Sequence, residues 1–180
     1  VITRDWMEEL LMYAQRPDVA AVGGKLYYAD NTIQHAGIVI GLGAHRAAGH
    51  THYKDDKMHL GYMGRLCYAQ DVTAVTGACL LVSRAQYDEV GGLDEEFRVA
   101  FNDVDFCLKL RHAGYLNVFT PFAELYHYES KTRGMEEGEK QKRFQQEVDM
   151  FRRKWKADLD AGDPYFNPNF SLDYSDYTIK

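Results

Sequence analysis

The stretch from residue 72 to 130 leaves few architectures open. An apolar run over 72–83 leads into a short helix that stops at Gly91-Gly92, and the loop Leu93-Asp94-Glu95-Glu96-Phe97 follows. Asn102-Asp103-Val104-Asp105 then opens a second helix that ends at Gly114. A strand reaches Pro121, and Tyr126-His127-Tyr128-Glu129-Ser130 closes the unit. Strand, helix, helix and strand in this order read as an α/β unit. The order also sets carboxylates at a helix N-terminus opposite a histidine from a later strand end, a setting for acid–base or metal chemistry.

The flanks read as follows. Thr3 is placed to cap a helix with Trp6, Met7, Leu10, Leu11 and Ala14 on one face, ended by Arg16-Pro17. Residues 20–24 read as a short strand, and 25–40 as a hairpin turning at Ala29-Asp30-Asn31. The run 71–83 reads as one buried strand, and Ser83 caps a helix over 84–90 with Gly91 as its left-handed end. Asn102 and Asp105 approximate a capping box. Residues 116–119 form a strand, Pro121 breaks it, and 123–128 are extended again. The charged stretch 131–140 is a flexible loop, and 139–156 a helix with Phe144, Val148, Phe151 and Trp155 on its apolar face. The aromatic, turn-rich tail over 163–169 is expected to lie pinned on the domain surface.

A chain of 180 residues can bury one core, so one domain is expected. The net charge of −6 argues against nucleic-acid binding as the main activity. No apolar run is long enough for a membrane span. The chain opens Val1-Ile2-Thr3, with neither a methionine nor a signal peptide, which reads as a piece of something longer. Cys67, Cys79 and Cys107 lack close spacing and read as free thiols in a reducing compartment, with Cys79 and Cys107 buried. Residues 41–70 show little periodicity and carry His45, His50, His52 and His59. Their spacing does not match a closed zinc site, so the stretch reads as a loop that moves over substrate.

Four blocks in succession resemble a known family. They are Val75-Thr76-Gly77-Ala78-Cys79-Leu80-Leu81-Val82, then Val90-Gly91-Gly92-Leu93-Asp94-Glu95-Glu96-Phe97, then Asn102-Asp103-Val104-Asp105 through Gly114-Tyr115, and last Pro121 with His127. This order is similar to the second half of the family-two glycosyltransferases of the GT-A fold, which use nucleotide sugars to build bacterial polysaccharides. Asp5-Trp6, Val22-Gly23-Gly24-Lys25-Leu26 and Ile33-Gln34-His35-Ala36-Gly37 look like that family's middle, and the tail from Asp163-Pro164-Tyr165 to Asn169 is similar to members acting on surface glycans. The resemblance implies an α/β fold, a mixed sheet flanked by helices, that forms the acceptor side of a GT-A domain. On this reading residues 1–130 are the acceptor and catalytic half, 131–180 are the C-terminal helix and tail, and the nucleotide-binding half lies upstream.

The resemblance assigns the roles. Asp103 is the general base that takes the proton from an acceptor hydroxyl in an inverting transfer. Thr76, Gly77 and Ala78 form a wall between donor sugar and acceptor, where small residues let a sugar approach the backbone. Asn102 and Asp105 contact the acceptor, Asn102 standing where the family usually has an acid, and a helix-capping role competes for Asp105. His127 is a metal ligand, completing a site for Mg²⁺ or Mn²⁺ whose Asp-x-Asp motif lies upstream. Apart from the resemblance, the reading of 41–70 as a loop over substrate offers Tyr53, Tyr62 and Tyr68 for stacking on sugar faces, with ordinary packing as the alternative. The implied partners are a nucleotide-sugar donor and a glycan acceptor. The implied place is the cytoplasm, with peripheral membrane contact through a lipid-linked acceptor. The fragment alone is expected to be inactive. A glycan-binding module without catalysis is the alternative, suggested by Asn102.

Overall fold

A computed structural model describes residues 1–128 and 138–180 of the chain. Strands β1 (Val19–Tyr27), β2 (Ile33–His35), β5 (Gln70–Val72) and β7 (Leu116–Tyr126) form a mixed sheet in the order β2-β1-β7-β5. A short β6 (Leu80–Leu81) pairs antiparallel with β1 as well. β3 (Ile38–Ile40) and β4 (Ala48–His50) make a separate hairpin. Helices α1 (Trp6–Ala14), α2 (Arg84–Glu89), α3 (Asn102–His112), α4 (Glu139–Lys154) and α5 (Lys156–Ala161) flank the sheets. This is the helix-flanked mixed sheet that the resemblance implied.

The parallel pair β1–β7 is the spine, and every residue of β1 is buried. A strand covered on both faces carries a near-continuous apolar sequence, which Val19-Ala20-Ala21-Val22 supplies. Gly23 and Gly24 follow because nothing larger fits: a Cβ on Gly23 would lie 2.6 Å from Val75 Cβ, and one on Gly24 2.4 Å from the Ala123 carbonyl. β7 continues through Pro121 where a break was expected. Its register jumps from Gly23↔Phe119 to Lys25↔Glu124, so 120–123 bulge from the ladder, and a residue without an N–H is tolerated in that bulge.

The apolar run 71–83 is not one strand. The chain leaves the sheet after Val72 and returns at Leu80. Two outside groups hold the segment between. The buried Asn117 amide donates to the carbonyls of Thr73 (2.9 Å) and Cys107 (3.0 Å), and Ile38 N–H donates to Ala74 O (2.9 Å). Thr3 does not cap α1 either. Its hydroxyl donates to Phe122 O (2.8 Å) and accepts from Glu124 N–H (3.0 Å), tying the N-terminus to the bulge. Ser83 does cap α2, accepting from Gln86 N–H at 3.2 Å.

The main core lies between the sheet and α3 and α4, around Tyr27, Phe106, Leu108, Leu110, Phe119 and Phe151. A second cluster, Leu10, Val19, Val22 and Val118, sits under α1, whose Met7 and Leu11 are exposed. The tail seats Phe166 and Tyr177 on Val39 and Leu42 of the hairpin side, and buried Asp163 accepts from Ile40 N–H at 2.9 Å. The expected long helix over 139–156 divides at Trp155 into α4 and α5. Of the expected loop over 131–140, residues 131–137 lie outside the described residues. All three cysteines are free; Cys107 is buried, Cys79 half-buried and Cys67 exposed.

Candidate active site

A cleft of about 940 Å³ opens where the 76–78 loop, the N-terminus of α3, the end of β7 and the β3–β4 hairpin meet. Thr76, Gly77, Ala78, Asn102, Asp103 and His127 all line it. The three tyrosines aside, six of the seven residues given a site role from sequence therefore share one surface, although they span positions 76 to 127.

Asp103 is half-buried on the first turn of α3. Its Oδ2 accepts from Gly77 N–H (2.8 Å) and its Oδ1 from Val104 N–H (2.9 Å). These two backbone donors fix the direction of the carboxylate. The helix begins unusually: Phe101 holds a left-handed conformation at the cap position (φ 64°), and Asn102 Oδ1 accepts from Asp103 N–H (2.8 Å). The capping box expected of Asn102 and Asp105 does not form.

Asp105 is the seventh, and it is absent from the cleft. It is fully buried on the opposite side of α3. Its Oδ1 accepts from Trp155 Nε1–H (2.8 Å) and pairs with Lys154 Nζ (2.7 Å), while Lys109 Nζ stands 3.7 Å from Oδ2. Lys154 also bonds Asp94 at 2.7 Å. Two turns before Lys154 on α4, Glu147 accepts from three consecutive backbone N–H groups, those of Arg98 (3.3 Å), Val99 (3.2 Å) and Ala100 (2.6 Å). Phe101 stacks on Phe144 and Phe151 of the same helix. α4 thus clamps the segment before Asp103 from several points.

Two histidines, His50 and His127, also line the cleft. His127 Nδ1 lies 2.9 Å from Gln34 Oε1, an acceptor, so the proton sits on Nδ1 and Nε2 keeps its lone pair in the neutral ring. Behind the wall, fully buried His35 places Nδ1 2.9 Å from His50 Nδ1, and its Nε2 accepts a long bond from Thr76 N–H (3.5 Å). Burial, and then the charge of His50, push His35 well below the usual imidazole range. His35 is therefore neutral and donates through Nδ1, so His50, which lines the cleft, keeps its proton on Nε2.

For a divalent metal the fit is partial. His127 Nε2 is a suitable single ligand, because its other nitrogen is anchored by a hydrogen bond in the usual outer-shell manner. Among the described residues no further ligand trio converges on the cleft. Tyr53, Tyr62 and Tyr68 do not line it: Tyr62 stacks on Tyr177 (5.6 Å between centroids), and Tyr53 meets Tyr28 edge-on. The sequence reading missed His50, Phe101, Phe144 and Glu147 as parts of the site. Only His50 carried a signal, and it stood in a stretch without periodicity.

Residues 1–147 match the model of the family described as "Glycosyltransferase like family 2". The chain is 52% identical, over its whole length, to an uncharacterized protein of Sinorhizobium fredii, of which it covers 20%. It is 33% identical to the O-antigen biosynthesis protein RfbC of Myxococcus xanthus, again over its whole length and covering 14% of that protein. Over 60 residues, 33% of the chain, it is 40% identical to an N-acetylglucosaminyl-diphospho-decaprenol L-rhamnosyltransferase of Mycobacterium tuberculosis, of which it covers 20%. The chain thus spans a fifth or less of these relatives.

Proposed function

The chain belongs to the family 2-like glycosyltransferases, and on that premise we propose that its cleft receives the acceptor in an inverting sugar transfer. The chemistry is one displacement. The acceptor hydroxyl gives its proton to Asp103 as its oxygen forms a bond to the anomeric carbon. The bond from that carbon to the diphosphate oxygen breaks, and the nucleoside diphosphate leaves with the electron pair. Attack from the face opposite the leaving group inverts the centre. The observation that carries this reading is the Asp103 carboxylate, oriented by Gly77 N–H on the wall of a cleft large enough for sugar rings.

The remaining residues take supporting parts. Exposed Gly77 and Ala78 leave room for a sugar against the backbone. Asn102, whose Oδ1 is already engaged by Asp103 N–H, has its amide N–H groups to offer an acceptor oxygen. Asp105 acts at a distance, through the seating of α3. His127 would hold a Mg²⁺ or Mn²⁺ ion through Nε2, together with ligands from the nucleotide-binding half. When bound, that ion would screen the charge of the departing diphosphate. We assign this chain to the acceptor side of the transferase domain, which alone would not turn over. The O-antigen and decaprenol names of two relatives favour a surface glycan carried on a lipid as acceptor, met at the cytoplasmic face of a membrane.

The test is Asp103→Asn in the intact protein, with transfer and donor binding measured side by side. Transfer should fall while the donor still binds; normal turnover would remove Asp103 as the base. A non-catalytic glycan-binding module is the second reading, favoured by Asn102, an amide where the family usually has an acid. It requires glycan affinity without any transfer by the intact protein.

A further inference from the structure

Outside the cleft, residues 51–61 bring three metal-ligating side chains to one point. His52 and His59 both direct Nδ1 at the same oxygen, Asp55 Oδ2, at 2.9 Å and 3.6 Å. One ligand atom from each of the three lies within 4.8 Å of the others. A tetrahedral ion with bonds of about 2.0–2.1 Å holds its ligand atoms roughly 3.3 Å apart, between the two distances to Asp55.

The backbone builds this convergence. His52 takes a left-handed conformation (φ 53°), and its N–H donates to Ser175 O (2.7 Å). Asp55 N–H returns to His52 O (3.1 Å) and His59 N–H to Asp56 O (2.9 Å), so two successive turns fold the side chains inward. The proton positions then matter. Gly61 N–H donates to His59 Nδ1 (3.1 Å), so that nitrogen carries a lone pair and the ring proton sits on Nε2. His59 Nδ1 and Asp55 Oδ2 therefore stand 3.6 Å apart with no proton between them, and a cation placed there would take the Nδ1 lone pair from the Gly61 N–H bond. His52 is 1% exposed, and its Nδ1 donates to Asp55 Oδ2 through a proton that a bound metal would displace.

We infer that His52, Asp55 and His59 form a three-ligand site for a divalent cation of the zinc class, its fourth position open to water. Two imidazoles and one carboxylate suit zinc and its later first-row neighbours, and disfavour the all-oxygen ions Mg²⁺ and Ca²⁺. None of the three residues lines the cleft. The site clasps the loop to the C-terminal tail instead, since His52 is bonded to Ser175 and packs on Tyr177 (5.1 Å). This inference stands independently of the transferase reading.

The experiment is titration of the chelator-stripped chain with Zn²⁺ against a chromophoric competitor, repeated with Mg²⁺. The expected result is one Zn²⁺ per chain at micromolar affinity or tighter, no Mg²⁺ binding, and a zinc-dependent rise in thermal midpoint. Exposed His59 makes a safe variant: His59→Ala should unfold like the wild type without metal, and lose at least about tenfold in zinc affinity together with the thermal rise. Asp55→Asn should do the same, and His112→Ala, at an exposed histidine elsewhere, should change neither. Absence of zinc binding, or binding that survives both His59→Ala and Asp55→Asn, would overturn the site.

Discussion

Two aspartates two residues apart on α3 live in opposite surroundings. Asp103 meets a cleft wide enough for sugar rings and is held by backbone N–H groups. Asp105 meets no solvent and is held by an indole and two ammonium groups. Residue type and helix are shared; the direction of the side chain separates them. The helix turns about 100° per residue, so a step of two carries a side chain from one face nearly to the other. The cleft side keeps groups available for chemistry, and the core side fixes the turn from which they project. A buried ion pair adds little net stability over apolar packing, yet breaking it strands a charge. Asp105 therefore suits the task of fixing a geometry better than that of adding stability.

The contrast can be broken from either end. The largest effect is expected at Asp103. Removing a general base costs about 10²–10⁴ in turnover. Asp103→Asn should show such a loss in the intact transferase with little change in thermal midpoint, as checked by a transfer assay beside calorimetry. Asp105→Ala should invert the pattern, costing about 3–5 kcal/mol in urea unfolding because Lys154 and the Trp155 N–H lose their buried partner. Its turnover per folded molecule should fall far less than that of Asp103→Asn.

Glu147→Gln probes the link between the two sides. It weakens three charge-assisted bonds to the 98–100 backbone, worth about 1–3 kcal/mol together, and should also lower turnover, since the loosened segment leads directly into Asp103. Equal stability and equal turnover in this variant would show that α4 does not position the cleft.

The smallest effect is a pH slope from behind the cleft wall. His35 titrates below its ordinary value in the fold, so below about pH 6.5 the unfolded chain binds the extra proton and stability falls on acidification. The stabilisation is fully present above that pH. The slope approaches roughly 1.4 kcal/mol per pH unit, and buried His52 shifts in the same direction. Urea midpoints at pH 7.5 and 5.5 should differ accordingly, and His35→Gln should flatten the difference.

Much of the cleft was legible because its residues sit in four ordered blocks, and family-wide spacing holds even where local structure is hard to read. What escaped was set by long-range partners. The spacing of Asn102 and Asp105 suits a capping box, and nothing near Asp105 announces Trp155 fifty positions on. Glu147 is buried on the same helix face as Phe144, Val148 and Phe151, a face read only for its apolar residues. The run 71–83 has the character of a strand, but the distant Asn117 amide and Ile38 N–H take the carbonyls of Thr73 and Ala74 where it leaves the sheet. Pro121 signalled a break and marks a bulge, because loss of one N–H ends a ladder only where that N–H would have been paired.

The clamp from α4 also sets an order of events in time. The family match ends at residue 147, while Lys154 and Trp155, which neutralise and bind Asp105, come after it. A chain emerging from the ribosome completes α3 some forty residues before these partners exist, and until then Asp105 must stay in water. α3 therefore cannot take its final seat, nor Asp103 its final aim, until α4 has been made and docked. Long-range closure of this kind is slow. A piece cut at the end of the family match would keep the described residues that line the cleft, and lose Lys154 and Trp155, which hold Asp105 behind it.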